Sequence, residues 1–169
     1  PIYDRVHLTE YFTGKSAKDL TLCRTDFADA YGIDLRLSTK ATEIDTVNKL
    51  VTTNHGEVIA YDKLVLATGS YAFVPPIPGN DRQNCFVYRT IEDLDAIRAA
   101  SLNAKTGVVI GGGLLGLEAA KALRDLNLET HVVEFAPRLM AVQIDDLGGK
   151  VLRSKIENLG VKVHTQKAT

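Results

Sequence analysis

Val108 to Leu123 reads VVIGGGLLGLEAAKAL, and it constrains the chain more tightly than any other stretch. A β-branched apolar run ends at Ile110, three glycines follow, and a helical apolar pattern begins at Leu114. The spacing Gly111-x-Gly113-x-x-Gly116 lets a strand turn tightly into a helix. Gly111 permits the turn, Gly113 leaves bare backbone, and Gly116 lets the helix sit close to the strand. The free N–H groups and positive dipole end of that helix would then face an anion such as a pyrophosphate. Taken alone the motif is weak, because a glycine turn can simply pack a helix on a sheet.

The surrounding sequence strengthens it. GVVIG (107–111) reads as a strand and Leu114–Leu126 as a helix. ETHVVEF (129–135) is a strand, Asp145–Leu159 a helix closed by Gly160, and VKVHT (161–165) a last strand. This α/β pattern is a Rossmann-like βαβαβ unit, which calls for a parallel sheet with helices packed on its faces. Glu134 ends the second strand at close to the expected spacing of about 20 residues beyond the glycines. The candidate dinucleotide cradle is therefore Gly111, Gly112, Gly113, Leu114, Leu115 and Gly116, with Glu134 accepting from the adenosine ribose hydroxyls. A carboxylate there repels a 2′-phosphate, so NADH is expected over NADPH. Arg138, just beyond, works the other way, since a nearby arginine could accept that phosphate.

The first half is organised differently. Thr25 can cap a short helix, Asp26–Tyr31, with Gly32 past its end. IDLRLS (33–38), ATEID (41–45), KLVTT (49–53) and EVIAY (57–61) read as strands, and Asn54-His55-Gly56 as a hairpin turn. KLVLATG (63–69) reads as a mostly buried strand ending at a glycine. SYAFVPPIPGN (70–80) is too rich in proline for a long helix or a central strand, and reads as a stiff connector. The domain boundary is placed there, giving 1–80 and 81–169. A short strand around Phe86 precedes a helix from Ile91 to Leu102, with Thr90 and Asp93 resembling a capping box.

Composition narrows the partners. Twenty basic residues nearly balance twenty-one acidic ones, for a net charge of −1. That offers no long-range attraction for nucleic acid or an anionic membrane. No apolar run approaches the roughly 18 residues of a membrane span. No basic stretch followed by an apolar run reads as a signal peptide, and the cytoplasm is the default compartment. Cys23 and Cys85 form no metal or redox motif and are expected to be buried or half-buried thiols. The four histidines are scattered, so no metal site and no catalytic side-chain constellation is assigned.

Four segments together carry a resemblance. Tyr3-Asp4-Arg5-Val6-His7-Leu8 is similar to the flavin-side segment of the ferredoxin- and rubredoxin-reductase branch of glutathione-reductase-like flavoproteins. Tyr61 to Tyr71, Phe86 to Leu94 and Val133 to Ala141 resemble the large-subunit family of assimilatory NAD(P)H-dependent nitrite reductases. The resemblance covers essentially the whole chain. It implies a fragment of a two-dinucleotide-binding-domain flavoprotein: part of an FAD-binding domain containing a three-stranded antiparallel meander, and part of an NAD(P)H-binding domain. Pro1 in place of a starting Met fits a piece of a longer chain.

The resemblance further implies that NADH reduces FAD, and that electrons pass to iron–sulfur and sirohaem centres elsewhere in the parent, where nitrite is reduced to ammonia. The implied partners are the nucleotide, the flavin, the remaining parent domains and a small subunit. The full-length parent is then an FAD-dependent oxidoreductase, and the piece alone is expected to be inactive. Its residues place Arg5 and Ala67-Thr68-Gly69 beside FAD, and Glu118 near the nicotinamide carboxamide. Arg5 can equally be a surface arginine, and Glu118 an ordinary first-turn glutamate. At Glu10 the ferredoxin-reductase pattern has a lysine near the flavin, so no flavin contact is assigned there. The alternatives are an NADH-dependent ferredoxin or rubredoxin reductase, and a non-catalytic nucleotide-sensing module.

Overall fold

The computed structural model describes residues 2–169; Pro1, where the first sequence-defined domain begins, lies outside the described residues. The chain forms two compact units, one of Cys23–Ser70 and one of the residues up to Leu22 together with Tyr71–Thr169.

The smaller unit holds a short helix α1 (Phe27–Ala30) and three strands, β1 (Ala41–Asp45), β2 (Leu50–Thr53) and β3 (Val58–Ala60). They pair antiparallel in the order β1-β2-β3, the expected meander. Gly56 adopts φ 78° in the β2–β3 turn and donates to the Thr53 carbonyl at 3.0 Å. The β1–β2 turn is closed by Asp45, whose carboxylate accepts from the Val47 and Asn48 amides at 2.9 Å. Helix α1 starts later than expected. Asp26 takes the capping position instead of Thr25, and its carboxylate pairs with Arg24 rather than with the helix.

Two expected strands of this unit do not form. Residues 33–38 are irregular despite their alternation, and Arg36 turns outward to Asp34 and Glu57. Residues 63–69 form no strand, with Val65 84% and Leu66 68% exposed instead of buried. Alternation and apolarity mark a segment as able to pair, yet a strand exists only where a neighbour supplies its hydrogen bonds.

In the larger unit, a 3₁₀ helix (Leu8–Thr13) packs with helix α2 (Ile91–Ser101) through buried Leu8, Leu20, Ile91 and Leu94. Both arms of the capping box are present, Asp93 N–H to Thr90 Oγ1 at 3.3 Å and Thr90 N–H to Asp93 Oδ2 at 2.8 Å. The Arg98 guanidinium sits 4.4 Å over the Tyr11 ring and donates to the Tyr11 carbonyl at 2.6 Å, fastening the two helices. The expected strand at Phe86 is absent, for the same want of a neighbour, and Cys85 beside it is exposed rather than buried.

The chain then follows the βαβαβ order: β4 (Thr106–Ile110), α3 (Leu114–Asp125), β5 (Glu129–Val133), α4 (Asp146–Asn158) and β6 (Lys162–His164). The strands are parallel in the order β4-β5-β6. Val109, Val132 and Val163 stand in register and form one apolar row. Against this row pack Leu117 and Ala120 of α3 and Leu152 and Ile156 of α4. Both helices therefore cover the same face, as right-handed crossovers progressing in one direction require. The opposite face carries Val108 and Ile110, which remain exposed.

Candidate functional site

The glycine turn at the end of β4 is built by backbone conformation. Gly111 adopts φ 109°, which a side chain would strain, and its amide donates to the Val133 carbonyl at 2.8 Å. Gly113 is the N-cap of α3, and its carbonyl accepts from Leu117 at 3.0 Å. The first amides of α3 therefore lack intrahelical partners and gather where an anion can use them.

Three glycines of this turn, Gly113 and Gly116 of the motif and Gly112 beside them, do different work. A Cβ on Gly116 would fall onto the Gly111 carbonyl oxygen, so only glycine allows helix and turn this close. A Cβ on Gly112 would lie 2.6 Å from Leu139 and 3.1 Å from a Glu134 oxygen. A Cβ on Gly113 would meet nothing within 4 Å. Packing demands glycine at 112 and 116, while the space at 113 is open toward solvent and uncommitted.

Glu134, half-buried past the end of β5, reaches back to this turn. One carboxylate oxygen accepts from Gly112 N–H at 2.6 Å, and the other from Ala136 N–H at 2.7 Å. Each oxygen keeps a second acceptor site for hydroxyls. Arg138 points away from the turn, into the loop that leads to α4. Sequence reasoning missed this arrangement, since nothing in the spacing shows where an arginine side chain turns.

The other candidate residues are less gathered. Leu114 and Leu115 are exposed in the first turn of α3. Glu118 is half-buried one turn further along. Burial chiefly pushes the Tyr88 hydroxyl above the usual phenol range, and the Glu118 charge adds to it. Tyr88 donates to Thr9 Oγ1 at 3.2 Å, a link between the 3₁₀ helix and the entry to α2 that the sequence did not announce. Arg5 is exposed in the larger unit. Ala67, Thr68 and Gly69 are exposed in the smaller unit, with Gly69 at φ 67° and open space where a Cβ would be. Among the described residues no group of three or more His, Cys, Asp or Glu could hold a metal, and no helix is long and apolar enough to cross a membrane.

A parallel βαβαβ sheet with a glycine cradle after its first strand and an acid after its second defines the dinucleotide-binding class of α/β folds. The sequence matches the family described as pyridine nucleotide-disulphide oxidoreductase over residues 3–169, and the chain belongs to that family. It is 61% identical, over 99% of its length, to the nitrite reductase [NAD(P)H] large subunit of Klebsiella oxytoca, covering 18% of that protein. It is 53% identical, again over 99% of its length, to the nitrite reductase (NADH) large subunit of Escherichia coli strain K12, covering 20% of it. The chain thus spans about a fifth of these relatives. The crystal structure of NADH:rubredoxin oxidoreductase from Clostridium acetobutylicum superposes with a TM-score of 0.88 at 33% identity, covering 98% of this chain and 44% of that one.

Proposed function

We propose that the chain is the NADH-to-FAD portion of a nitrite reductase large subunit, supplying electrons for the reduction of nitrite to ammonia in the cytoplasm. The observation that carries the nucleotide site is the open backbone at Gly113 beside a carboxylate pinned to the same turn. The identities of 61% and 53% over nearly the whole chain support the nitrite reductase assignment.

In this reading the amides of Gly113 to Gly116 hold the pyrophosphate and Glu134 the adenosine ribose, with NADH preferred over NADPH. Glu118 receives the carboxamide. Arg5 and the backbone of Ala67 to Gly69 lie against FAD, in a partial FAD-binding domain of residues 1–80, and residues 81–169 form the partial nucleotide domain. When bound, NADH supplies a hydride and FAD accepts it, and the cofactors carry that chemistry. The protein's part is to orient them and exclude water. Iron–sulfur and sirohaem groups belong to other parts of the parent, which with a small subunit are this chain's partners.

The likeness to NADH:rubredoxin oxidoreductase supports a second reading, in which the acceptor is a small redox protein. Anaerobic assay of the full-length parent separates the two. Nitrite-dependent NADH oxidation with ammonium as product is expected. NADH oxidation that needs a rubredoxin-type acceptor and ignores nitrite would favour the second reading. NADH binding without flavin reduction would leave only a sensing role.

A further inference from the structure

Arg138 carries a permanent positive charge a few residues beyond the acid that faces the ribose, so a choice between NADH and NADPH could turn on it. Its guanidinium is already engaged. Nε donates to the Ile144 carbonyl at 2.9 Å, one terminal nitrogen to the Asp146 carboxylate at 2.7 Å, and the other to the Ala141 carbonyl at 3.1 Å. The aliphatic stem lies on buried Gly149, where a Cβ would come within 2.8 Å of Arg138 Cδ and 3.0 Å of its Cβ. These contacts close the loop between β5 and α4 into a single turn-rich body.

The residues that follow join this loop to the glycine turn. Leu139 is fully buried, and its side chain occupies the space a Cβ on Gly112 would need. Met140, in the left-handed region at φ 48°, donates to the Gly112 carbonyl at 2.9 Å. The Gly112 amide in turn donates to Glu134 at 2.6 Å. Contacts therefore run without a break from Arg138 through Leu139, Met140 and Gly112 to the Glu134 carboxylate.

We propose that Arg138 is a positioning residue for the nicotinamide cofactor. It clasps the β5–α4 loop so that Gly112 and Glu134 hold their places, and its charge is withdrawn from any 2′-phosphate. The proposal rests on the reading of the turn as an NADH cradle and deepens it, because it makes selection of NADH depend on an arginine that never touches the nucleotide. A loose loop lets Glu134 move away, which weakens NADH and removes the repulsion against NADPH together. An arginine that received the phosphate would act in the opposite sense.

The test uses the full-length parent with ferricyanide as electron acceptor, measuring kcat and KM for NADH and NADPH in Arg138→Ala, Arg138→Lys and Gly149→Ala. Arg138→Ala should raise KM for NADH roughly ten-fold, the scale of one weakened charged or ribose hydrogen bond. Its kcat at saturating NADH should stay near that of the unaltered protein. KM for NADPH should stay level or fall, so the preference for NADH shrinks by a similar factor. Gly149→Ala keeps the charge and displaces the stem, and should shift both values in the same direction. It also decides the matter if Arg138→Ala does not fold. Arg138→Lys reaches fewer acceptors and should fall between.

A KM for NADPH that rises more than that for NADH would overturn the clasp, as would folded variants with both KM values unchanged. An unaltered parent whose flavin neither nucleotide reduces would overturn the reading of the site itself, and the clasp with it.

Discussion

Replacing Gly113 by alanine separates what the cradle needs for folding from what it needs for binding. A Cβ at this position meets no atom within 4 Å, and the backbone sits at φ −80°, ψ −177°, which alanine adopts freely. Two small effects on stability oppose each other. Alanine restricts the unfolded chain, worth about 0.4–1 kcal/mol, and is a poorer N-cap than glycine by some tenths to about 1 kcal/mol. The net change should stay within roughly 0.5 kcal/mol, a shift of only a few degrees in Tm. Binding should behave otherwise. In the proposed site, a methyl in the space assigned to the pyrophosphate would weaken one or two charge-assisted hydrogen bonds to the α3 amides, each worth about 1.5–3 kcal/mol. NADH affinity should fall roughly 10- to 100-fold. Calorimetric titration of the full-length protein with NADH, alongside thermal unfolding, measures both. A variant that binds NADH within two-fold of the original, with Tm unchanged, would refute the assignment of this space to the pyrophosphate. A large loss of Tm would refute the packing argument instead.

Gly116→Ala should do the reverse and destabilise first, by about 1–3 kcal/mol or more on thermal unfolding, because the added carbon meets a backbone oxygen that cannot turn aside. Thr90→Ala removes one arm of the capping box of α2 and should cost about 1 kcal/mol in denaturant unfolding, with Thr90→Ser recovering most of it. The hydrogen bond that His7 Nδ1 donates to the Asp4 carboxylate is the main cause that raises the pKa of His7 above its ordinary value and lowers that of Asp4. The raised His7 value means that this contact helps the fold fully below the pKa His7 has in the unfolded chain. Its help is lost as pH rises through the higher folded value. NMR titration should therefore show His7 titrating higher in the native protein than in Asp4→Asn, and equal values would mean that the contact does not form in solution.

The parallel sheet and its glycine turn were legible because local chemistry and fold agree there. β-branched strands, a glycine spacing directly between a strand and a helix, and a helix closed by Gly160 all point to the same βαβαβ order. The meander was legible from Asn54-His55-Gly56 for a similar reason, since one positive-φ turn fixes a hairpin. Residues 33–38 and 63–69 misled because a strand depends on a neighbour that its own sequence does not encode. Apolar Val65 and Leu66 announce burial against something, without saying what. Arg138 was ambiguous on the same principle. Charge and position allowed it to accept a 2′-phosphate, and only the carbonyls of Ala141 and Ile144 and the carboxylate of Asp146 show where its hydrogen bonds go.

In the proposed function this turn presents NADH to a flavin in the parent protein. Anaerobic titration of the full-length protein with NADH, followed through the oxidised-flavin absorption band, tests it most directly. Stoichiometric NADH should bleach the band, and Gly113→Ala should need roughly 10- to 100-fold more NADH to reach the half-maximal rate of bleaching. A band that persists under excess NADH, or a Gly113→Ala variant that bleaches at the original rate at every NADH concentration, would contradict this.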